Sequence, residues 1–402
     1  MEKTPLSLRT HITLFGNTNS GKSSLFNSLI GQDMAIVSDK SGTTTDPVTK
    51  AMELIGFGPV ALTDTAGWGD MTEIGEIREE KTNKLLSRTD FAIYTADSTD
   101  FDEEQYKKAC EKFKKHKIPH ILVFTKSDLC KADVESYPNS LPVSVTDKAS
   151  VDKLRDKLII ELNKTVKQEQ GMIGGVLSED STVVLVIPID SEAPKGRLIL
   201  PQVQMIRDCL DNGMRAVCVR DTELEKTIRD MDNIDLVVTD SQAFKTVSEI
   251  VPNSIKLTSF SMLLANAKGD IHAFREGAEA IDRLKDGSKI LMAEACTHNT
   301  SHEDIGRVKI PKLLRQYTGK KLEFVYSIHH DFPDDLSEYD LVIHCGGCMI
   351  TQKTMENRIL QCKDSNTPIT NYGVVLSCVN GILKRSMEIF EKRGDRLCRR
   401  VY

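Results

Sequence analysis

Two groups of residues in this sequence have the types and spacing that chemistry requires. Residues 16–23 (GNTNSGKS) match the complete phosphate-loop pattern between a strand-like and a helix-like segment. Glycines let the backbone wrap a phosphate chain, and backbone N–H groups at a helix N-terminus bind its negative charge. Lys22 is predicted to reach the terminal phosphates and the Ser23 hydroxyl to bind Mg²⁺. The full match favours a phosphate site over a chance glycine-rich turn.

Two downstream segments follow in the order found in GTPases. Residues 41–46 (SGTTTD) resemble the switch I segment of translation-factor-class GTPases, with Thr44 as the predicted second Mg²⁺ ligand. In residues 64–67 (DTAG), Asp64 is predicted to hold Mg²⁺ through water and the Gly67 N–H to meet the γ-phosphate. The predicted catalytic residues are therefore Lys22, Thr44 and Gly67.

The nucleotide base has its own candidate residues. Residues 125–128 (TKSD) resemble the guanine-reading motif, in which Asp128 accepts hydrogen bonds from the base and Lys126 covers the ring. Thr125 stands where asparagine is usual, a departure expected to weaken base anchoring without changing the choice of guanine. Ser144 and Val145 form a degenerate fifth element. The complete predicted set for GTP or GDP is Gly16, Asn17, Asn19, Ser20, Gly21, Lys22, Ser23, Ser24, Thr44, Asp64, Gly67, Thr125, Lys126, Asp128, Ser144 and Val145.

Two residues of this region bear on the rate of hydrolysis. Trp68 follows Gly67, where Ras-like proteins place a glutamine that orients water, so slow intrinsic hydrolysis is expected. Asn19 resembles the potassium-coordinating asparagine of GTPases activated by a monovalent cation, among them the tRNA-modification GTPase. We therefore predict stimulation by K⁺, with a role for Asn19 in shaping the loop as the alternative.

The second group consists of cysteines and histidines near strand ends. Cys345 and Cys348, in residues 344–348 (HCGGC), follow a strand-like segment, and Cys296 follows another one. Residues just beyond the carboxyl ends of parallel strands gather at one edge of the sheet, so the three thiolates are predicted to converge. Three cysteines are one short of the usual set for an iron–sulfur cluster. His298, His344 and Asp190 are the candidates for a fourth ligand or for support behind the cysteines.

Residue chemistry leaves the identity of this metal open. Three cysteines and one histidine suit a closed structural zinc site. The same cysteines suit a [4Fe–4S] cluster with one iron that protein thiolates do not hold.

Composition limits the class of protein. The chain has 402 residues and a net charge of −6, which gives no electrostatic reason to expect nucleic acid as a main partner. No apolar run approaches the ~20 residues needed to span a bilayer, so no membrane role is expected. Residues 1–5 lack the apolar stretch of a signal peptide, and a cytoplasmic location is predicted.

Apolar runs alternate with polar helical stretches, the pattern of an α/β fold with parallel sheets. We predict three domains, over residues 1–170, 176–260 and 261–402, with residues 171–175 as a hinge. Strands are predicted at residues 11–15, 60–63, 92–96, 120–124, 183–189, 215–219, 236–239, 289–293, 322–326 and 341–344. Helices are predicted at residues 22–29, 200–210, 305–317 and 351–360, with a polar helix ending at residue 170.

Taken together, the chain resembles the HydF family, the GTPase and scaffold used in maturation of [FeFe]-hydrogenase. The segments that carry the likeness are residues 294–298 (EACTH), 304–311 (DIGRVKIP), 344–349 (HCGGCM) and 368–373 (PITNYG), on a potassium-type GTPase. The resemblance implies a GTPase domain, a central dimerisation domain and a C-terminal cluster domain, in the order of the three predicted domains.

The resemblance also implies cofactors and partners. It favours a [4Fe–4S] cluster over zinc, with Cys296, Cys345 and Cys348 as the protein ligands, beside GTP or GDP, Mg²⁺ and K⁺ at the nucleotide site. It implies that the protein accepts a transient diiron precursor from two radical-SAM maturases and passes it to the [FeFe]-hydrogenase apoprotein, and that it acts as a homodimer or tetramer. The rival hypotheses are a GTPase with structural zinc that acts in RNA or ribosome metabolism, and a redox enzyme that uses the cluster for electron transfer.

Overall fold

The computed structural model describes residues 4–31, 47–68, 82–166, 171–189, 195–295, 305–328 and 331–391. The chain forms two compact units, Met1–Gln168 and Glu169–Tyr402. Across the described ranges, no helix is long and apolar enough to cross a membrane.

The first unit is built on a six-stranded sheet with the order β2-β3-β1-β4-β5-β6. All neighbouring strands run parallel except β2, which pairs antiparallel with β3. Strands buried on both faces need continuous apolar runs, which the segments 91–97 and 120–125 in the middle of the sheet have. The strands are β1 (Thr10–Gly16), β2 (Val48–Leu54), β3 (Gly58–Asp64), β4 (Phe91–Asp97), β5 (His120–Thr125) and β6 (Ser140–Pro142).

The helices of this unit cover both faces of its sheet. They include α1 (Lys22–Ile30), α2 (Glu103–Lys115) and α3 (Lys148–Thr165). Asp102 and Asp147 cap the second and third helices, because their carboxylates accept from backbone N–H groups of the first turns. Two separate apolar clusters pack on this sheet: one contains side chains of β1 to β5, and the other contains side chains of β1, β4 and β5.

The second unit contains two parallel sheets of four strands each, with the orders β10-β9-β7-β8 and β12-β11-β13-β14. The strands of the first sheet are β7 (Thr182–Val186), β8 (Arg215–Val219), β9 (Leu236–Thr239) and β10 (Lys256–Ser259). Those of the second are β11 (Lys289–Glu294), β12 (Glu323–Ile328), β13 (Leu341–His344) and β14 (Ile369–Asn371). The helices are α4 (Leu200–Asp211), α5 (Leu224–Asp230), α6 (Phe244–Ile250), α7 (Phe260–Lys268), α8 (Ile271–Ala278), α9 (Ile310–Thr318), α10 (Gln352–Asp364), α11 (Tyr372–Val379) and α12 (Leu383–Met387).

Helix α7 connects the two sheets of the second unit. It packs against α4 beside the first sheet and against α10 and α11 beside the second. The Ser259 hydroxyl caps its start, and five of its six apolar side chains are buried. One apolar cluster consequently runs through both sheets.

The mixed α/β fold and the N-terminal position of the phosphate loop confirm the predicted fold class. The strands predicted at 215–219, 236–239 and 341–344 occur with those bounds. The predicted division of the second unit at residue 260 stays a prediction.

Several predicted bounds were wrong. The strand predicted to reach residue 189 ends at Val186, and the helix predicted to reach residue 170 ends at Thr165, before an extended Val166. The helix predicted from residue 305 begins with a π-helical turn, Ile305–Lys309, since Pro311 cannot donate a helical hydrogen bond. In the predicted hinge, Met172 and Ile173 are buried in the core of the second unit.

Candidate nucleotide and cysteine sites

The phosphate loop lies between β1 and α1, and two glycines determine its path. Gly16 has a φ of +145°, and a Cβ there would lie 2.3 Å from the Thr95 carbonyl oxygen. Gly21 has a φ of +83° and precedes the first residue of α1. Asn19 has a φ of +64°, which asparagine tolerates better than most residues, so its side chain type also suits the shape of the loop.

Lys22 is buried beneath this loop. Its Nζ donates to the carbonyl oxygen of Asn17 at 2.6 Å and to that of Gly16 at 3.2 Å. Burial lowers the pKa of the ammonium to about 8, although the Asp64 carboxylate acts in the opposite direction. A bound phosphate chain would give this charge an anionic partner in place of neutral carbonyls.

Ser23 and Asp64 together form the predicted magnesium end of the site. The Ser23 hydroxyl donates to Asp64 Oδ2 at 2.6 Å. Asp64 Oδ1 is buried and has no hydrogen-bond partner among the described residues. Burial raises the pKa of Asp64, against the opposing hydrogen bond from Ser23. A carboxylate with an unused oxygen beside a hydroxyl fits a hard cation such as Mg²⁺.

Residues 67 and 68 are joined directly to the phosphate loop. Trp68 N donates to the Gly16 carbonyl at 3.1 Å, and Thr18 N donates to the Trp68 carbonyl at 3.3 Å. Gly67 is required here, since a Cβ would lie 2.4 Å from Thr18 N. The Trp68 ring is buried and stacks on Phe15 with their centroids 5.0 Å apart. This placement of the ring in the core supports the prediction that Trp68 does not orient water.

The base end of the site depends on Thr125 in a way the sequence did not reveal. Its hydroxyl donates to the Ser20 carbonyl in the phosphate loop at 2.7 Å. Lys126 has a φ of +55° and forms an ion pair with Asp97, while Asp128 is exposed. Thr125 therefore connects the end of β5 to the phosphate loop, a role visible only once the strands are adjacent.

The remaining predicted nucleotide residues that the structure describes are Ser24, Ser144 and Val145. Ser24 is exposed in the first turn of α1. Ser144 is buried and its N–H donates to Ser150 Oγ at 3.0 Å, while Val145 is exposed. Four predicted residues lie outside the described residues: Thr44, Asp190, Cys296 and His298.

The described part of the cysteine site is the segment 345–350, which we call the cysteine loop. It begins directly after β13, and Cys345 N donates to the Ala293 carbonyl of the neighbouring strand β11 at 2.9 Å. Ala295 N lies 3.1 Å from Cys345 Sγ, so an N–H group reaches the buried sulfur. Cys348 is half-buried. Since residue 296 follows Ala295 directly, this contact brings the backbone next to Cys296 to Cys345.

His344 is buried behind this loop with both ring nitrogens engaged. Nδ1 lies 2.7 Å from the Cys345 carbonyl and Nε2 lies 2.6 Å from Arg358 Nη1. A guanidinium only donates, so Nε2 accepts and Nδ1 donates. Burial lowers the pKa of Arg358. Of the two roles predicted for His344, the geometry favours support of the cysteines over direct metal ligation.

Two further polar side chains near the cysteines were not predicted to be site residues. Lys268, the last residue of α7, is 3% exposed and donates into the cysteine loop. Glu294, at the end of β11, forms an ion pair with Arg307 at 3.1 Å. A lysine in the last turn of a helix ordinarily reflects the helix dipole, which hides any other role from sequence reading.

Within the part of the chain that the structure describes, no group of three or more histidine, cysteine, aspartate and glutamate side chains is arranged to hold a metal ion. Cys296 and His298 are not in that part, so the predicted set of three cysteines stays a prediction.

Three family models match the chain. Residues 11–126 match a model described as a 50S ribosome-binding GTPase. Residues 172–269 match the hydrogen maturase F dimerization domain, and residues 272–389 match the hydrogen maturase F tetramerization domain. The two hydrogen maturase F models together cover more than half of the chain.

Curated relatives are similar in the GTPase region. The chain is 35% identical over 150 residues to the tRNA modification GTPase MnmE of Bordetella parapertussis, which covers 37% of this chain and 33% of that protein. It is 33% identical over 147 residues to MnmE of Endomicrobium trichonymphae, covering 35% of this chain and 32% of that protein. The chain thus spans about a third of the length of the curated relatives it matches.

Two solved structures align with part of the chain. The G domain of the T. maritima FeoB iron transporter has a TM-score of 0.30 and 24% identity, covering 38% of this chain and 98% of that chain. Era in complex with MgGDPNP and a segment of 16S ribosomal RNA has a TM-score of 0.32 and 16% identity, covering 53% and 94%.

Proposed function

Because this chain belongs to the HydF family of hydrogen maturases, we propose that it is a GTP-hydrolysing scaffold in the maturation of [FeFe]-hydrogenase. Its N-terminal domain is a GTPase, for which GTP or GDP and Mg²⁺ are the ligands. The dimerization and tetramerization domains indicate that the chain oligomerises.

The proposed metal site consists of Cys296, Cys345 and Cys348 holding a [4Fe–4S] cluster. One observation carries this proposal: the Ala295 N–H donates to Cys345 Sγ at 3.1 Å, one residue before Cys296. Backbone N–H groups directed at sulfur stabilise thiolate and cluster charge. The donor set therefore fits an iron–sulfur group, whose soft metal prefers thiolate ligands.

Three cysteines leave one iron of such a cluster for an exchangeable ligand. That iron is where a further metal fragment can bind and later depart by ligand exchange. His298 and Asp190 are the proposed occupants when no cargo is present, while His344 supports the loop from behind through its bond to the Cys345 carbonyl.

The proposed cargo is a diiron precursor that two radical-SAM maturases supply and the [FeFe]-hydrogenase apoprotein receives. The protein acts as a homodimer or tetramer in this scheme. GTP binding and hydrolysis govern partner release or domain geometry in the proposal.

Potassium is the proposed activator of the nucleotide site, through Asn19. Trp68 stands where Ras-like proteins place a water-orienting glutamine, and its buried ring cannot take that role. A bound cation would supply transition-state charge in place of an arginine. We expect faster GTP hydrolysis in K⁺ than in Na⁺ at equal ionic strength, and lower stimulation in Asn19→Ala. Equal rates in the two salts would contradict this role.

The alternative function is a GTPase with structural zinc acting in RNA or ribosome metabolism. It draws on the similarity of the GTPase region to tRNA modification GTPases. It predicts a colourless protein with one zinc per chain, whereas the scaffold proposal predicts iron and sulfide.

The deciding experiment is metal analysis of the full chain prepared without oxygen. We expect iron and sulfide in the ratio of a [4Fe–4S] cluster, the corresponding low-temperature EPR signal after reduction, and a change in that signal on adding cyanide or imidazole. Cys345→Ser and Cys348→Ser should each remove most of the iron while GTP hydrolysis continues.

Cys362→Ser is the matched control for these variants. Cys362 is buried in α10, and burial raises the pKa of its thiol to about 12, as expected for an inert structural cysteine. Its substitution should leave iron content unchanged. Stoichiometric zinc without iron, or equal iron in all three variants, would reject the cluster proposal.

A further inference from the structure

The cysteine loop is held from its inner side by a lysine of another helix. Lys268 Nζ lies 2.7 Å from the Ile350 carbonyl oxygen, 3.3 Å from that of Gly347 and 3.4 Å from that of Cys348. An ammonium has three N–H donors, so it can serve all three carbonyls. A charge at 3% exposure is costly without such acceptors, and here the acceptors belong to one short loop.

A second basic group holds the start of the same loop. The Cys345 carbonyl accepts from His344 Nδ1 at 2.7 Å, and Arg358 donates to the other nitrogen of that ring. Lys268 of α7 therefore binds three carbonyl groups of residues 345–350, and His344 binds a fourth.

Fixing the carbonyls also fixes the direction of the N–H groups. In a trans peptide the carbonyl and the following N–H point in opposite directions, and the described chain has no cis peptide. With the Cys345 and Cys348 carbonyls bonded to buried donors, the N–H groups of Gly346 and Met349 face the other way. No backbone carbonyl of the described loops and turns accepts from either of these two N–H groups.

We propose that Lys268 is a positioning residue of the cysteine site, because its ammonium holds the Gly347, Cys348 and Ile350 carbonyls and so turns the Met349 N–H towards an anionic iron–sulfur ligand. The ordering of the loop is a property of the protein alone. The action on the cluster rests on the proposed function.

The ammonium has a second, electrostatic consequence for a bound cluster. Reduction adds negative charge, and a fixed positive charge nearby stabilises the reduced form and raises the reduction potential. Removing this charge should therefore lower the midpoint potential. A residue that only filled space would not produce this shift.

The test compares Lys268→Met, Lys268→Gln and Arg385→Met in the full chain. Methionine removes both charge and donors, while glutamine keeps an amide donor without the charge. Arg385 is the matched control, since it is also a basic side chain that donates to several backbone carbonyls, that of Ser248 in α6 and those of Val251, Pro252 and Ile255 before β10. It organises the loop before β10 and not the cysteine loop.

Two measurements distinguish the effect of Lys268 on the order of the loop from its effect on the cluster. In the metal-free protein, amide hydrogen exchange of residues 343–351 should become about tenfold faster in Lys268→Met, less so in Lys268→Gln, and should not change in Arg385→Met. In the reconstituted protein, an EPR-monitored redox titration should give a lower midpoint potential for both Lys268 variants and the wild-type value for Arg385→Met.

The outcomes are distinguishable. Wild-type exchange and wild-type potential in a folded Lys268→Met protein would overturn the inference while leaving the cluster proposal intact. If Lys268→Met does not fold, the same two values in Lys268→Gln decide. Faster exchange with an unchanged potential would support the positioning role and reject the electrostatic one. Failure of the wild type to bind a cluster would reject the proposed function, with the exchange data still testing the loop.

Discussion

The phosphate loop and the cysteine loop are built on the same local plan. Each follows a strand of a parallel sheet and precedes a helix, and each has a buried lysine that donates to its carbonyl groups. They differ in where that lysine comes from. Lys22 belongs to its own loop, whereas Lys268 lies 82 residues before Ile350, its nearest acceptor.

This difference separates a lysine that binds a ligand from one that supports a site. The carbonyls around Lys22 are temporary partners, because the loop N–H groups and Lys22 together can hold phosphates. The carbonyls around Lys268 are permanent partners, since they set the direction of the loop. A similar contact in a static structure can therefore serve either purpose, and substitution distinguishes them.

The largest expected effect comes from Lys22→Met. Loss of a cation that stabilises charge at the transferred phosphate should reduce GTP hydrolysis by about 10²- to 10³-fold. Iron content of the second unit should not change, because Lys22 lies in the other compact unit. Phosphate release and iron analysis on one preparation measure both.

Lys107→Met provides the control for this variant. Lys107 is an exposed lysine of α2 paired with Glu103 at 2.9 Å, and exposed pairs contribute little. Hydrolysis should stay at the wild-type rate. Loss of iron as well as activity in Lys22→Met would contradict the distinction between Lys22, which binds a ligand, and Lys268, which positions a loop.

A tenfold effect is expected from pH. The pKa of Lys22 is lowered to about 8 from 10.5, so the nucleotide-free protein loses this proton as pH rises through 8. The bound phosphates favour the charged form, so binding above pH 8 takes up a proton and affinity falls as pH rises. At pH 9 about one tenth of the free protein carries the charge, so the affinity for a fluorescent GTP analogue should be about tenfold weaker than at pH 7.

Lys22→Arg isolates the contribution of this group to the pH profile. A guanidinium keeps its charge throughout this range. Any fall in affinity shared by both proteins then belongs to the nucleotide or to other residues. Identical profiles for the two proteins would contradict the assignment to Lys22.

The same contrast explains which features could be predicted from the sequence. The residues of the phosphate loop are contiguous in sequence, so the motif alone predicts the structure of the loop. The apolar runs of β9 and β13 likewise predict buried strands. β2 was missed because it is an edge strand of a hairpin, with a mixed burial pattern.

Hydrogen bonds from residues that are distant in sequence could not be predicted from any such pattern. Lys268 at the end of an apolar helix looks like an ordinary C-terminal cation, and Arg358 looks like a surface residue of a polar helix. Thr125 was interpreted as a weakened motif, because the sequence does not show that Ser20 lies within reach of its hydroxyl. Each role depends on which elements pack together.

Substitution of Thr125 has the smallest expected effect. Thr125 is distant in sequence from the phosphate loop but donates a hydrogen bond to it. Its hydroxyl bonds the Ser20 carbonyl across 105 residues. Thr125→Val keeps the shape and removes the donor, which should cost about 1 kcal/mol and weaken nucleotide affinity about fivefold, while Thr125→Ser should stay near wild type. Binding of a fluorescent GDP analogue measures both. Since Thr125 acts by holding the loop, its loss should weaken GDP and GTP equally, whereas loss of Lys22 should weaken GTP more. A loss in Thr125→Val confined to GTP would show instead that Thr125, like Lys22, acts on the terminal phosphate.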